Sequence, residues 1–312
     1  MTLEEVLERY PQRSVGGVPD WMLGFFKRRS ISFANGETDS QTHVCWFQSR
    51  HFTIDLRLPL DSEQTPARDW AQYSGVELQV LANYEGWEAS SEWDGHSLSW
   101  HADTSLQLHN RWPEPALLQR IGNCMIEFAP SGAYVEDWRL QPSAPGPLIG
   151  LRLLEERDLS SGVVRHRGGG LIVCGEHAAL VLGRGGVEAA GQSLCDEAAK
   201  AVGDAQRLAA LFGFETSVAH GSLHNGFEAA LSTRPGRNGQ MLFPLDGFEC
   251  LVDQQLLIQR LAIDGAPCER RFSIDTLESQ ISFDQQTGFT AEAANWYSKE
   301  SQTLTRYTEP QY

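Results

Sequence analysis

The chain has 312 residues, 41% of them hydrophobic, enough for a folded protein of about two ordinary domains and too apolar for a disordered one. Acidic residues outnumber basic ones 41 to 25, a formal charge of −16, which argues against nucleic acid and anionic membranes as partners because both call for a basic surface. No run approaches the roughly 18 apolar residues of a membrane helix, and the acidic opening MTLEEVLERYPQR lacks the apolar core of a signal peptide, so the expected location is cytoplasmic.

Residues 2–10 predict a short helix, with Thr2 as its cap and Glu5 completing a capping box. The segment Trp21-Met22-Leu23-Gly24-Phe25-Phe26 is dense in aromatics and predicts a plug at one end of a barrel. A strand over 26–33 follows, turned at Asn35-Gly36. The stretch THVCWFQSRHFTIDLRLP, residues 42–59, predicts two strands joined at Ser49-Arg50. In its second strand Phe52, Ile54, Leu56 and Leu58 share one face, while Thr53, Asp55 and Arg57 share the other. One oily and one polar face suit a barrel wall.

Pro66 opens a helical turn through Trp70. Strands are then expected at 77–82, 87–93, 97–103 and 104–109, with Asp94-Gly95 as a hairpin turn. Pro113-Glu114-Pro115 predicts a short helix ending near Gly122, and strands at 125–128 and 134–140 follow. About nine strands joined by short turns suggest an antiparallel up-and-down barrel. Residues 141–147 carry three prolines within six positions and read as a linker, which divides the chain into 1–141 and 148–312.

Eight of the nine tryptophans precede that linker, so the two halves have differently built cores. In the second half, strands are expected at 148–155, 163–166, 171–174 and 178–182. One longer helix is predicted over 194–212, capped by Ser193 and ended by Gly213, with Leu194, Ala198, Ala201, Ala205, Leu208 and Phe212 on one stripe. Further strands are expected at 214–220, 227–232, 241–243, 249–253, 257–263, 269–274, 280–283 and 289–294, with 303–312 as an edge strand or a frayed end. The predicted class is all-β: two consecutive antiparallel barrels with short helices and one longer helix in the second half.

The order FTIDLR, then Ser99-Trp100-His101-x-Asp103, then Tyr134-x-Glu136-x-Trp138 before the linker resembles the Hri family. That resemblance implies two lipocalin-like, calycin-type barrels in one chain, and it implies a fold more than a function. It covers mainly residues 25–140; the second half matches in strand layout. Where the family pattern has a charged residue after Trp-His, this chain has Ala102.

Several residues suit a cavity. Asp55 and Arg57, neighbours on one strand face, either pair inside the barrel and orient a polar ligand group or form an outer ion pair worth little. Trp46, Trp87, Trp93, Trp100 and Trp138 either line an aromatic pocket or pack the core, and Gln48 is a further candidate for ligand contact. His101 is a candidate acid or base near neutral pH, against an ordinary structural histidine. Tyr134, Glu136 and Trp138 share a face, so Glu136 either moves a proton in an apolar setting or hydrogen-bonds a neighbouring strand. The ligand-binding set is thus Trp46, Gln48, Arg57, Trp93, Trp100, Tyr134 and Trp138, and the catalytic set is Glu136, Asp55 and His101.

Cofactor chemistry has no motif here. GxxxxGK[ST], strand–GxGxxG–helix and GxSxG are all missing, so nucleotide-dependent chemistry and a standard serine hydrolase are disfavoured. The six cysteines form no CxxC pair and read as free thiols, and His220 with His224 makes an incomplete metal set. No cofactor and no metal are expected; the expected partner is a small molecule. Two functions stand side by side: binding of a small hydrophobic or aromatic molecule in a barrel cavity, and a cofactor-independent isomerase or cyclase using a barrel carboxylate or histidine.

Overall fold

Alternation in the first half produces strands β1 (Gly24–Phe33), β2 (Thr38–Asp39), β3 (His43–Gln48), β4 (Phe52–Leu58), β5 (Glu85–Trp93), β6 (Ser97–Ser105), β7 (Ala116–Ile121), β8 (Cys124–Phe128) and β9 (Tyr134–Leu140). The computed structural model describes residues 1–111, 113–186, 193–283, 295–296 and 298–302. Apart from β2, which pairs only along β1, each strand runs antiparallel to the next, and β9 returns to pair with β1 from Phe26↔Leu140 to Phe33↔Tyr134. The result is a closed antiparallel barrel of eight strands. Its weakest seam lies between β6 and β7, which share only Ser97↔Leu117 and Leu98↔Ala116.

The second half forms β10 (Gly146–Asp158), β11 (Val164–Arg167), β12 (Gly169–Cys174), β13 (His177–Leu182), β14 (Glu215–Ser222), β15 (Gly226–Ser232), β16 (Phe248–Leu251), β17 (Leu256–Ile263) and β18 (Ala266–Ile281). Their order is β15-β14-β13-β12-β10-β18-β17-β16, with β11 beside β10. Among the described residues no pairing joins β15 to β16, so this sheet is not closed as the first one is. Helix α1 (Leu3–Arg9) precedes the barrel in sequence yet packs in the core of the second sheet, where Leu3, Val6 and Leu7 meet residues such as Phe227 and Phe272. The capping box of Thr2 and Glu5 forms as predicted.

The two sheets lie face to face. On β3 and β4, Cys45, Phe47, Phe52, Ile54 and Leu56 turn outward from the barrel and join one apolar cluster with Leu148, Ile172, Cys174, Ala179, Val181 and Val218 of the second sheet. The other face of that sheet carries Ile149, Leu151, Leu171, Val173, Leu180 and Phe272 into its own core. This is why β12 is buried at all six positions and shows no alternation. The oily face of β4 therefore packs outside the barrel, and its polar face turns inward.

Several expectations are corrected. Residues 77–82 are not a strand but most of helix α2 (Gly75–Ala82), started by a Ser74–Glu77 capping box. The helix expected after Pro113 is strand β7, and the two strands expected across 97–109 are the single β6. The long helix over 194–212 is two short ones, α3 (Leu194–Lys200) and α4 (Ala205–Leu211). Gly203 at φ +86° breaks the run, and Asp204 accepts from the Arg207 N–H to start the second helix. Residues 241–243 give only an isolated bridge, Glu228↔Met241, while 269–274 and 280–281 belong to one strand of 16 residues. The strand expected at 289–294 and the edge strand at 303–312 lie outside the described residues. Among the described residues, no helix is long and apolar enough to cross a membrane.

The sheets approach closely where β5 meets β14. A Cβ on Gly86 would sit 2.5 Å from Thr216 Oγ1 and 2.7 Å from its Cβ. Gly86→Ala is therefore expected to lower the unfolding free energy by about 1–3 kcal/mol, the usual cost of overpacking. Urea denaturation followed by tryptophan fluorescence measures this; an unchanged midpoint contradicts the close sheet contact.

Candidate functional site

The barrel is filled at one end and hollow at the other. At the filled end, the Asp20–Met22 turn acts as the expected plug: Trp21 meets Trp93 edge-on at 5.7 Å, and the Arg120 guanidinium donates to the Trp21 carbonyl. Trp93 is thus part of this seal and does not line the cavity, contrary to expectation. Above it lies a polar layer around fully buried Gln48. Gln48 accepts from Trp46 Nε1 at 3.0 Å and from Thr53 Oγ1 at 2.7 Å, and donates to Ser91 Oγ at 2.9 Å. Thr53 in turn accepts from Trp100 Nε1 at 2.9 Å. Gln48 does not line the cavity either; it fixes two of the tryptophans that do.

The cavity above this layer holds about 260 Å³. Trp46, Trp87, Trp100, Trp138 and Tyr134 form its aromatic walls; Asp55 and Glu127 are its buried polar groups, and Arg57 and Glu85 its half-buried ones. His101, Asp103, His109, Arg111 and Glu114 surround its mouth, which opens where β6 runs beyond its short pairing with β7. The β5–β6 register slips between Glu88 and Ser90, and Trp100, His101 and Asp103 all reach the cavity. Such an irregularity re-aims side chains that strict alternation would send outward.

Asp55 and Arg57 take the inner of the two expected settings. Arg57 Nε donates to Asp55 Oδ1 at 2.9 Å, with Asp55 2% exposed. Burial pushes the Asp55 carboxyl up to about 6; Arg57 opposes that shift, while Glu85 and Glu136 add to it. Arg57 itself holds its proton more tightly than usual: burial opposes this, but Asp55, Glu136 and Glu85 outweigh it.

Glu136 is buried and does not itself line the cavity; it pairs with Arg28 and hydrogen-bonds Glu127. Arg28 Nη1 donates to Glu136 at 2.8 Å and Nη2 donates to Asp39 at 2.7 Å. The carboxyl that lines the cavity is Glu127 on β8, directly opposite Glu136 in the β8–β9 ladder. Glu127 accepts from Trp138 Nε1 at 3.0 Å and from Tyr134 Oη at 3.2 Å. Desolvation holds it well above the usual carboxylate range and the Glu136 charge adds to this, whereas Arg57 and the Trp138 N–H only partly offset them. Burial and the same two glutamates also raise the Tyr134 phenol. Sequence reading passed over Glu127. Its signal was an acid two residues after Met125 in the short apolar strand CMIEF, a position that alternation sends inward.

Of the expected residues, Trp46, Asp55, Arg57, Trp100, His101, Tyr134 and Trp138 therefore converge on one cavity. Glu136 supports its wall, Gln48 lies beneath its floor, and Trp93 belongs to the opposite seal. His101 is exposed, 3.7 Å from Glu92. Among the described residues no group of three or more His, Cys, Asp or Glu is arranged to hold a metal ion. Comparison with protein-family models, with curated proteins and with solved structures finds no match.

A carboxyl that binds its proton more tightly in the folded than in the unfolded chain stabilises the fold at low pH. That contribution is lost as pH rises from the unfolded value through the folded one. The Glu127→Gln variant removes this term and the facing like charge. It is expected to show a flatter decline in stability above pH 5. At pH 8 it should match or exceed the native chain by about 1 kcal/mol, the scale of like charges opposed across strands. Thermal melts across pH 5–8 measure this; a steeper decline in the variant contradicts the assignment.

Proposed function

We propose that the N-terminal barrel binds a small aromatic or hydrophobic molecule in its cavity. The observation that carries this reading is a partly enclosed space of about 260 Å³ walled by four tryptophans and a tyrosine, with a few fixed polar groups among them. Binding sites combine apolar walls with a few such groups, and this volume, just under the roughly 300 Å³ lower bound for drug-sized ligands, suits a compact ligand. The Gln48 network supports it further, because it sets ring positions before any ligand arrives.

A second reading, a cofactor-independent isomerase or cyclase, is favoured by one observation. Asp55, pushed up to about 6, and Glu127, held well above the usual carboxylate range, line the same cavity, so two carboxyls suited to proton transfer face one space. In that reading the proton-moving role expected of Glu136 passes to Glu127, with Asp55 in the same cavity and His101 at the mouth. We also read the second sheet as the lipocalin-like counterpart of the barrel, as the Hri resemblance implies. Its neighbour-to-neighbour antiparallel strands and separate core support this. A cytoplasmic setting is supported by six free thiols.

Titration of the full chain with indole, followed by tryptophan fluorescence, tests the binding reading. Saturable binding is expected, weakened at least about tenfold in Trp87→Ala by the loss of one aromatic wall. No saturable binding, or equal affinity in the variant, overturns it.

A further inference from the structure

We infer that the cavity takes a ligand bearing a positively charged nitrogen, an ammonium or a protonated aromatic amine; this rests on the reading of the barrel as a small-molecule site. The guanidiniums of the barrel interior are already committed. Arg57 pairs with Asp55 at 2.9 Å, Arg111 with Glu85 at 2.9 Å, and Arg28 with both Glu136 at 2.8 Å and Asp39 at 2.7 Å. Glu127 is 4% exposed and, among the described residues, has no ion pair within 4.0 Å; the neutral donors Trp138 and Tyr134 reach it, and so does the facing Glu136 carboxyl, whose own charge Arg28 balances. A buried carboxyl without a cation of its own, on the wall of an open cavity, is the half of an ion pair that a ligand can complete.

The aromatic rings supply the rest of such a site. Trp46 stands at 89° to Trp138 with centroids 5.1 Å apart, and at 65° to Trp100 with centroids 5.7 Å apart. Trp87 stands at 77° to Trp100, 5.8 Å away. All four indoles line the cavity, and an organic cation is attracted to the face of such a ring. At the mouth, Asp103 and Glu114 stand beside His101, His109 and Arg111, whose guanidinium is paired with Glu85, and among the described residues no lysine lines the cavity, so the unpaired charge at the approach is acidic. A carboxylate ligand would meet these acids without a free guanidinium.

The groups facing Glu127 set the proton balance. Glu136 and Tyr134 come from β9, Arg57 from β4, and Leu118 lies opposite on β7. An ammonium bound beside Glu127 stabilises the carboxylate, so the carboxyl O–H bond breaks and its proton leaves to solvent. Cation binding then strengthens as pH rises through the titration of Glu127, and a neutral ligand shows no such gain.

Isothermal titration calorimetry on the full chain, with three indole probes that differ in charge, tests this. Tryptamine is expected to bind at least tenfold more tightly than neutral indole-3-propionamide, and indole-3-propionate most weakly. Tryptamine should also release protons, seen as a binding heat that depends on the buffer. Glu127→Gln should weaken tryptamine at least tenfold and change the amide less than twofold. The comparison of probes on the native chain does not depend on how that variant folds. Equal or tighter binding of the amide or the propionate overturns the inference and leaves the binding reading intact. Binding of none of the three overturns the inference too, and the indole titration then judges the binding reading separately.

Discussion

Apolar contact between the outer face of the barrel and the second sheet is the constraint from which the cavity follows. Phe47, Phe52, Ile54 and Leu56 are each at most 1% exposed, although they point out of the barrel, because Leu148, Ile172, Val181 and Val218 cover them. A sheet face gains free energy in proportion to the apolar area removed from water. With the oily face used outside, alternation leaves the polar face of the same strands inside. A barrel standing alone would gain most by the reverse arrangement.

The interior then has to satisfy groups that water would otherwise solvate. It does so with charge pairs and hydrogen bonds that continue from one layer to the next: Gln48 and Thr53 beneath, Asp55 with Arg57 in the middle, Arg28 with Glu136 at the wall. The interface between the sheets carries similar ties. Arg50 reaches Glu278 at 2.8 Å and also pairs with Asp20, and Arg152 of β10 binds Glu88, whose carboxyl burial pushes up to about 7 against the pull of that arginine. Ser49, His51 and Asp275 also meet there, but the Ser49 hydroxyl donates to Asp275 itself, and the imidazole bonds the same carboxylate at 2.9 Å. No imidazole receives the serine proton, so the cluster is a structural tie and not a nucleophilic triad.

Much of the barrel was legible in the chain. The alternation in FTIDLRL and the Asp94-Gly95 turn gave strands where the structure has them; of the aromatic run expected to plug the barrel, the turn at Trp21 lies at the seal, whereas Gly24, Phe25 and Phe26 open β1. What local pattern left open was which face of β4 looks inward, because both faces end up buried and the layer that decides lies about a hundred residues further on. For the same reason Asp55 and Arg57 fitted an inner setting as well as the outer one that a lone strand favours. Other gaps had signals that were outweighed. Ser74-x-x-Glu77 marks the start of α2, and Gly203-Asp204 marks the break between α3 and α4. Glu127 stayed hidden because an isolated acid in a short apolar strand acquires meaning only when the register places Glu136 across from it. The position of α1, against the second sheet, has no signature in a local pattern.

The account stands on the barrel needing its neighbour, and expressing residues 1–141 alone tests that most directly. Stripped of the second sheet, the exposed phenylalanine face should make this fragment self-associate or bind a hydrophobic dye such as ANS, without a cooperative melt. A monomeric fragment that melts cooperatively and leaves the dye unbound would contradict the claim that contact with the second sheet is what turns the polar face inward.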